Sequence, residues 1–350
     1  MTINIDGQID RSSFFKLNSS IAHTPMEAHG PPLPPLRALP IRPKLWLECY
    51  LGHRVDVKDL LDLGEDIEEQ GELTMGCWYT PLGIALYYRD TDMMKVLLER
   101  HADHAFVRQS LYGRGRTMLH EAVRDGDEAA VRVLLRYAAD VSAKDHEGTT
   151  PLMQAATEYG GEELILLLLQ HGADVSATDQ DGDTPLMGAV RRGLDATADL
   201  LITHGANVSA RNRFGKTPLS IAAHQGHAVV VALLVEKNAD VNAVDNHGYT
   251  AMHQAAREGH CNVVRLLLHH GANVLARTDF GCTAETLAEE GAYHAVAGLL
   301  KAVTLSNAKC VAFAMGHHER LRVGSMVVRL DPEVLRMVLG MVLQDVNEDV

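Results

Sequence analysis

The chain has 350 residues, 46% hydrophobic and 22% charged, a globular balance that excludes a chain too polar to bury a core. With 32 Lys and Arg against 46 Asp and Glu its net charge is −14, the wrong sign for nonspecific attachment to nucleic acid or anionic lipid. The five cysteines (Cys49, Cys77, Cys261, Cys282, Cys310) are scattered without a C-x-x-C pair, against a disulfide framework or zinc site and for a reducing cytoplasm or nucleus.

The opening MTINIDGQIDRSSFF lacks the basic-then-apolar profile of a secretory signal. No apolar run reaches the roughly 18–20 residues of a membrane-spanning helix. Residues 1–42 carry Ser, Gly and most of PPLPPLRALPIRP, and six of the twelve prolines fall within residues 31–43. Such a segment favours extended polyproline II and is expected to be a disordered tail. Inside it, Pro32-x-x-Pro35-x-Arg37 has the spacing of a ligand for Src-homology-3-type domains. Residues 43–69, PKLWLECYLGHRVDVKDLLDLGEDIEE, have a two-helix pattern without a turn motif and are expected to cap the N-terminal end. Met75-Gly76-Cys77-Trp78 is expected to be an irregular finger.

From Thr80 onward the chain repeats itself. The positions of Thr80-Pro81-Leu82 recur at Thr117, Thr150, Thr184, Thr217, Thr250 and Thr283, in steps of 37, 33, 34, 33, 33 and 33 residues. The longer first step is expected to be an enlarged loop around residues 108–116. In each unit a Gly (Gly148, Gly182, Gly215, Gly248, Gly281) marks a tight turn that needs positive φ. Thr then caps a first helix with Pro at its first position. Small pairs such as Ala155-Ala156, Ala222-Ala223 and Ala255-Ala256 keep that helix thin. Leu134-Leu135, Leu168-Leu169, Leu200-Leu201, Leu233-Leu234 and Leu266-Leu267 supply the inward stripe of a second helix, which Gly172, Gly205 and Gly271 end.

One full unit, residues 245–277, reads DNHGYTAMHQAAREGHCNVVRLLLHHGANVLAR. It resembles the ankyrin repeat, with its D-x-x-G-x-T-P-L-H-x-A-A-x-x-G-H…V-x-x-L-L…G-A-D/N-V pattern, and the resemblance covers about residues 43–302. It implies an all-α solenoid of about eight helix-turn-helix units with β-turn fingers, closed by a C-terminal unit at residues 278–302. Residues 303–350 are expected to add a helical hairpin: one helix from about Ala308 to Arg320, after Leu305-Ser306-Asn307, and another over residues 331–342. The second has Asp331 as N-cap, Pro332 in its first turn and Val334, Leu335, Val338, Leu339 and Val342 in one stripe. That arrangement loosely resembles the SOCS-box or F-box modules of ubiquitin-ligase adaptors, although Leu330-Asp331-Pro332 stands where a SOCS box has L-P-L-P.

Enzyme motifs are missing: no G-x-x-x-x-G-K-[ST], G-x-G-x-x-G, H-E-x-x-H or G-x-S-x-G occurs, so no catalytic residue or cofactor is assigned. Most of the nineteen histidines fall at repeat positions and are read as structural: His101, His171, His204 and His270 at ends of second helices, His120 and His253 after the turn. His317-His318-Glu319 stand apart, but adjacent helical residues point about 100° apart and do not chelate one ion, so no metal is expected.

The resemblance implies that finger tips and the exposed side of first helices line a groove that holds a protein. Counting from the turn Gly places Tyr112, Arg114, Arg116, Arg124, Arg191, Arg192, Arg213, Phe214, Lys216, His224, His247, Tyr249, Arg257 and Phe280 there as candidate partner-binding residues. Aromatics beside Arg have the composition of interface anchors. The sequence thus points to a monomeric, non-catalytic interaction scaffold whose protein partner it does not name. The alternatives are a ubiquitin-ligase adaptor, bound to the ligase through residues 303–342, and an unconventional enzyme on the same scaffold.

Overall fold

The computed structural model describes residues 44–68, 70–74, 77–103, 109–110, 115–157 and 161–316. The chain divides into two units, Met1–Ile41 and Arg42–Val350. The first, with the proline-rich motif, lies outside the described residues.

In the second unit the helices come in pairs: α1 (Lys44–Leu51) with α2 (Arg54–Asp62), α3 (Pro81–Tyr87) with α4 (Thr91–Glu99), α5 (Met118–Arg124) with α6 (Glu128–Arg136), and α7 (Pro151–Thr157) with α8 (Glu162–Gln170). The series continues with α9 (Pro185–Arg192) and α10 (Asp195–Thr203), α11 (Pro218–Gln225) and α12 (Ala228–Glu236), α13 (Ala251–Arg257) and α14 (Cys261–His269), and α15 (Ala284–Glu290) and α16 (His294–Gly316). First helices pack on first helices and second on second, so each unit touches only its own partner helix and its neighbours. This is the all-α solenoid expected from the repeats.

The local rules explain where the first helices start. Thr80, Thr184, Thr217 and Thr250 each accept the backbone N–H three residues on, and Pro81, Pro185 and Pro218 occupy the first turn. The alanine pairs are buried. Leu134 and Leu135 are both buried, but the other leucine pairs divide: Leu168, Leu201, Leu234 and Leu267 are buried while Leu169, Leu200, Leu233 and Leu266 are half-buried. Neighbouring helical residues differ by about 100°, so in those four pairs only one points squarely at the next unit.

Two histidines complete the caps. His120 Nδ1 accepts from the Thr117 amide at 3.1 Å and its Nε2 donates to the Thr149 carbonyl at 3.0 Å. His253 repeats this with the Thr250 amide and the Ala276 carbonyl, at 3.2 and 3.0 Å. One nitrogen accepting and the other donating requires a neutral ring. Burial, the largest cause, holds both imidazoles below their ordinary value, against the opposing pull of the carbonyls. The unfolded chain therefore takes up more protons as the pH falls below about 6.5, so stability that is full at neutral pH is lost on acidification. We expect the melting temperature to drop more between pH 7.5 and 5.5 in the wild type than in His120→Gln/His253→Gln; an equal drop would remove these rings as the cause.

The N-terminal end departs from the expected irregular finger. Strands β1 (Gly71–Thr74) and β2 (Cys77–Tyr79) pair antiparallel, and β3 (Gln109–Ser110) adds to β2 through Cys77↔Ser110 and Trp78↔Gln109. The longer first step thus includes a strand of the sheet. Beneath it, Trp46 is fully buried, donates from Nε1 to the Tyr79 carbonyl at 2.9 Å and stacks on Tyr50 with centroids 5.6 Å apart. Burial pushes the neighbouring Cys49 thiol up to about 12, so it behaves as a small hydrophobe.

The C-terminal end differs too. The expected break at Leu305-Ser306-Asn307 does not occur: α16 runs without interruption for 23 residues, from the second helix of the last unit to Gly316. Ser and Asn cost a helix only a few tenths of a kcal/mol, and no Gly or Pro stands there to stop it. Thr304 Oγ1 donates to the Leu300 carbonyl at 2.9 Å, which keeps even this residue within the helix. The stripe at residues 331–342 and His317-His318-Glu319 lie outside the described residues. Among the described residues no helix is long and apolar enough to cross a membrane.

Candidate functional site

Each finger is built on one side chain. Asp145 Oδ1 accepts the amides of Glu147 and Thr149, both at 2.9 Å. Asp179, Asn212 and Asp245 do the same for the residues two and four positions on. One backbone bond then joins each finger to the next: Gln180 N to Glu147 O, Arg213 N to Asp181 O, Asn246 N to Phe214 O and Asp279 N to His247 O, at 3.0–3.1 Å. The rungs place Glu147, Asp181, Phe214, His247 and Phe280 at equivalent positions on consecutive fingers.

The C-terminal part of that row is aromatic. Phe214 is 45% exposed and Phe280 70%. The His247 and Phe280 rings lie 6.2 Å apart, and the Arg213 guanidinium sits 4.6 Å over the Phe214 ring. That guanidinium also pairs with Asp181 at 2.6 Å. Tyr249, expected at the tip, is only half-buried and turns its ring edge-on to His253 at 6.0 Å.

The cations divide into paired and unpaired. Arg191 is held by the nearly buried Asp183 carboxylate, which also accepts from Asn212 Nδ2 at 2.8 Å. Arg124 pairs with Glu121 and Asp125. Arg116 lies 3.5 Å from the wholly buried Asp145 carboxylate and 4.0 Å from Glu121. Arg257 reaches Glu258 only at 3.9 Å. The side chains of Arg192 and Lys216 have no hydrogen bond or ion pair among the described residues. Lys216 stands near enough to His224 to help lower its pKa, although burial is the larger cause and Glu258, 3.6 Å away, opposes it. Tyr112 and Arg114 lie outside the described residues.

The structure therefore brings Arg213 with Phe214, His247 with Phe280, and Lys216 and Arg257 with His224. It does not leave Arg191 or Arg124 free, because acidic neighbours neutralise them. Some contributors were not singled out in the sequence reading. His227 Nε2 donates to the Arg191 carbonyl of the preceding unit at 3.2 Å, and His260 Nε2 to the His224 carbonyl at 3.0 Å. These rings tie the ends of neighbouring first helices, where the candidate residues lie. Their recurring Gly-His dipeptide was the available sign. At the ends of second helices, His171 and His204 donate from Nδ1 to Leu167 and Leu200 carbonyls at 2.9 Å, the structural role expected of them.

Known proteins agree with this geometry. Neurogenic locus notch homolog protein 1 of Mus musculus is 37% identical over 101 residues, 29% of this chain and 4% of the relative. The same protein of Homo sapiens and of Danio rerio is 36% identical, over 101 and 100 residues, again 4% of each relative. The match thus spans a small part of those proteins. A family model described as Ankyrin repeats (3 copies) matches residues 45–145, 139–212 and 187–278. Those segments cover well over half of the chain and contain most of the capped helices, fingers and rungs described above, so the chain belongs to the ankyrin-repeat family.

Proposed function

We propose that this protein is a non-catalytic interaction module that holds a protein partner on its fingers and the adjoining ends of its first helices. Ankyrin repeats support a protein-binding role in general, and the exposed Phe214–His247–Phe280 row, with Arg213 stacked on one ring, carries the assignment to this surface. Large apolar side chains beside Arg on a rigid backbone are the make-up of interface anchors. The candidates on the same fingers and on the ends of first helices include Arg192, Lys216, His224, Tyr249 and Arg257. The scattered cysteines fit work in a reducing cytoplasm or nucleus, as a monomer.

A photo-crosslinking residue at position 214 should capture a defined partner that the same residue at exposed Arg265, on a second helix, does not. With that partner purified, Phe214→Ala/Arg192→Ala should weaken binding at least about tenfold, or roughly 1.4 kcal/mol, without changing the melting temperature. Unchanged affinity would move the function off the fingers. The adaptor alternative recruits a ligase through residues 303–342; deleting residues 317–350 leaves partner affinity intact in the finger reading and abolishes ligase recruitment in the other.

A further inference from the structure

We infer that the partner's docking segment carries acidic residues that meet the cations around Phe214 and at least one aromatic or branched apolar residue that seats on the Phe214, His247 and Phe280 rings. This rests on the finger reading above and adds the chemistry of what the fingers hold.

The charge pattern points this way. The chain has 46 acidic residues, yet none falls between Asp199 and Glu236, the stretch that holds Arg211, Arg213 and Lys216. The Phe214 finger is therefore basic in an acidic protein. Pairing sharpens the contrast. Arg213 and Arg191 are balanced by Asp181 and Asp183. Arg211 and Arg192 are exposed and Lys216 is half-buried, and none of the three has an ion-pair partner among the described residues. Arg211 and Lys216 flank Phe214 on its own finger and Arg192 ends the first helix of the preceding unit, so a carboxylate docked there gains charge-assisted bonds. The apolar component follows from Phe214 and Phe280, whose rings exceed what their own fingers cover.

A nucleic acid has anionic charge and flat bases as well, but it fits this surface less well. Its phosphates need a continuous run of cations. Here Asp179, Asp181 and Asp183 lie on one side of the basic finger, and Asp245, Glu258 and Asp279 on the other. A short acidic segment matches a basic stretch one finger wide.

The test uses the full chain and a short fluorescein-labelled peptide of Asp and Glu around a central Leu-Phe pair, read by fluorescence anisotropy. It should bind at least about tenfold more tightly than counterparts with the acids replaced by Ser or by Lys, or with Leu-Phe replaced by Ser-Ser. Phe214→Ser/Phe280→Ser should cost at least about tenfold. Arg192→Ser/Lys216→Ser should cost as much and flatten the salt dependence. Unchanged circular dichroism and melting temperature establish that these variants fold.

If the Ser or Lys counterpart binds as tightly and remains sensitive to the Phe substitutions, the acidic chemistry is overturned while the finger surface stands. Acidic binding indifferent to every tip substitution overturns this docking site. An oligonucleotide that binds more tightly than the peptide makes the surface a nucleic-acid site and overturns the inference. Failure of all peptides to bind also overturns it, while crosslinking from position 214 judges the broader reading separately.

Discussion

Gly248→Val is expected to destabilise the array by about 3 kcal/mol, against a few tenths for exposed Asn262→Ala. Gly248 has φ 76°, which a β-branched residue adopts only at a cost of about 1–2 kcal/mol. A Cβ there would fall 3.0 Å from the Asp279 amide nitrogen and 3.2 Å from Thr278 Cα, inside normal contact. The Asp279 amide is the donor of the rung to His247, so the new side chain must push the next finger away. Gly281 separates the two costs. It has φ 79°, but a Cβ there meets nothing within 4 Å. Gly281→Val should show only the backbone strain, leaving about 1–2 kcal/mol as the contribution of close stacking between fingers. Urea unfolding of the three variants measures this; equal midpoints for the two valine variants would mean that the rungs contribute nothing.

Trp46→Ala should cost about 4 kcal/mol, and the loss should be confined to one end of the array. The side chain is wholly buried, stacks on Tyr50 and donates to the Tyr79 carbonyl, so it ties the first unit to the sheet. Units of a solenoid contact only their neighbours, so a defect frays the terminal units before it reaches the middle. Amide hydrogen exchange should accelerate in α1 to α4 and remain slow in α11 and α13. Uniform acceleration along the chain would show that the array unfolds as one block.

Much of the fold was legible because its signals are local. Thr-Pro caps a helix through an amide three residues away, and a turn Gly acts through its own φ, so both recur wherever the sequence recurs. The sheet at the N-terminal end was not legible. Cys77 and Trp78 pair with residues more than thirty positions away, and three-residue strands are too short to show an alternating pattern. The continuity of α16 was missed for the opposite reason: Leu305-Ser306-Asn307 reads as loop by composition, yet a helix anchored by Leu300 and Val303 on the core continues through it.

The sequence by itself determined the repeat, its capped helices and the turns of its fingers, since each depends on residues a few positions apart. Which of the cations remain available is different. Arg191 and Arg192 are neighbours of identical chemistry, yet Arg191 is held by Asp183 and Arg192 is not. Only tertiary stacking decided that. Asn212, brought in by the next finger, orients the Asp183 carboxylate, and ion pairs form according to distances of a few Å that no linear spacing contains.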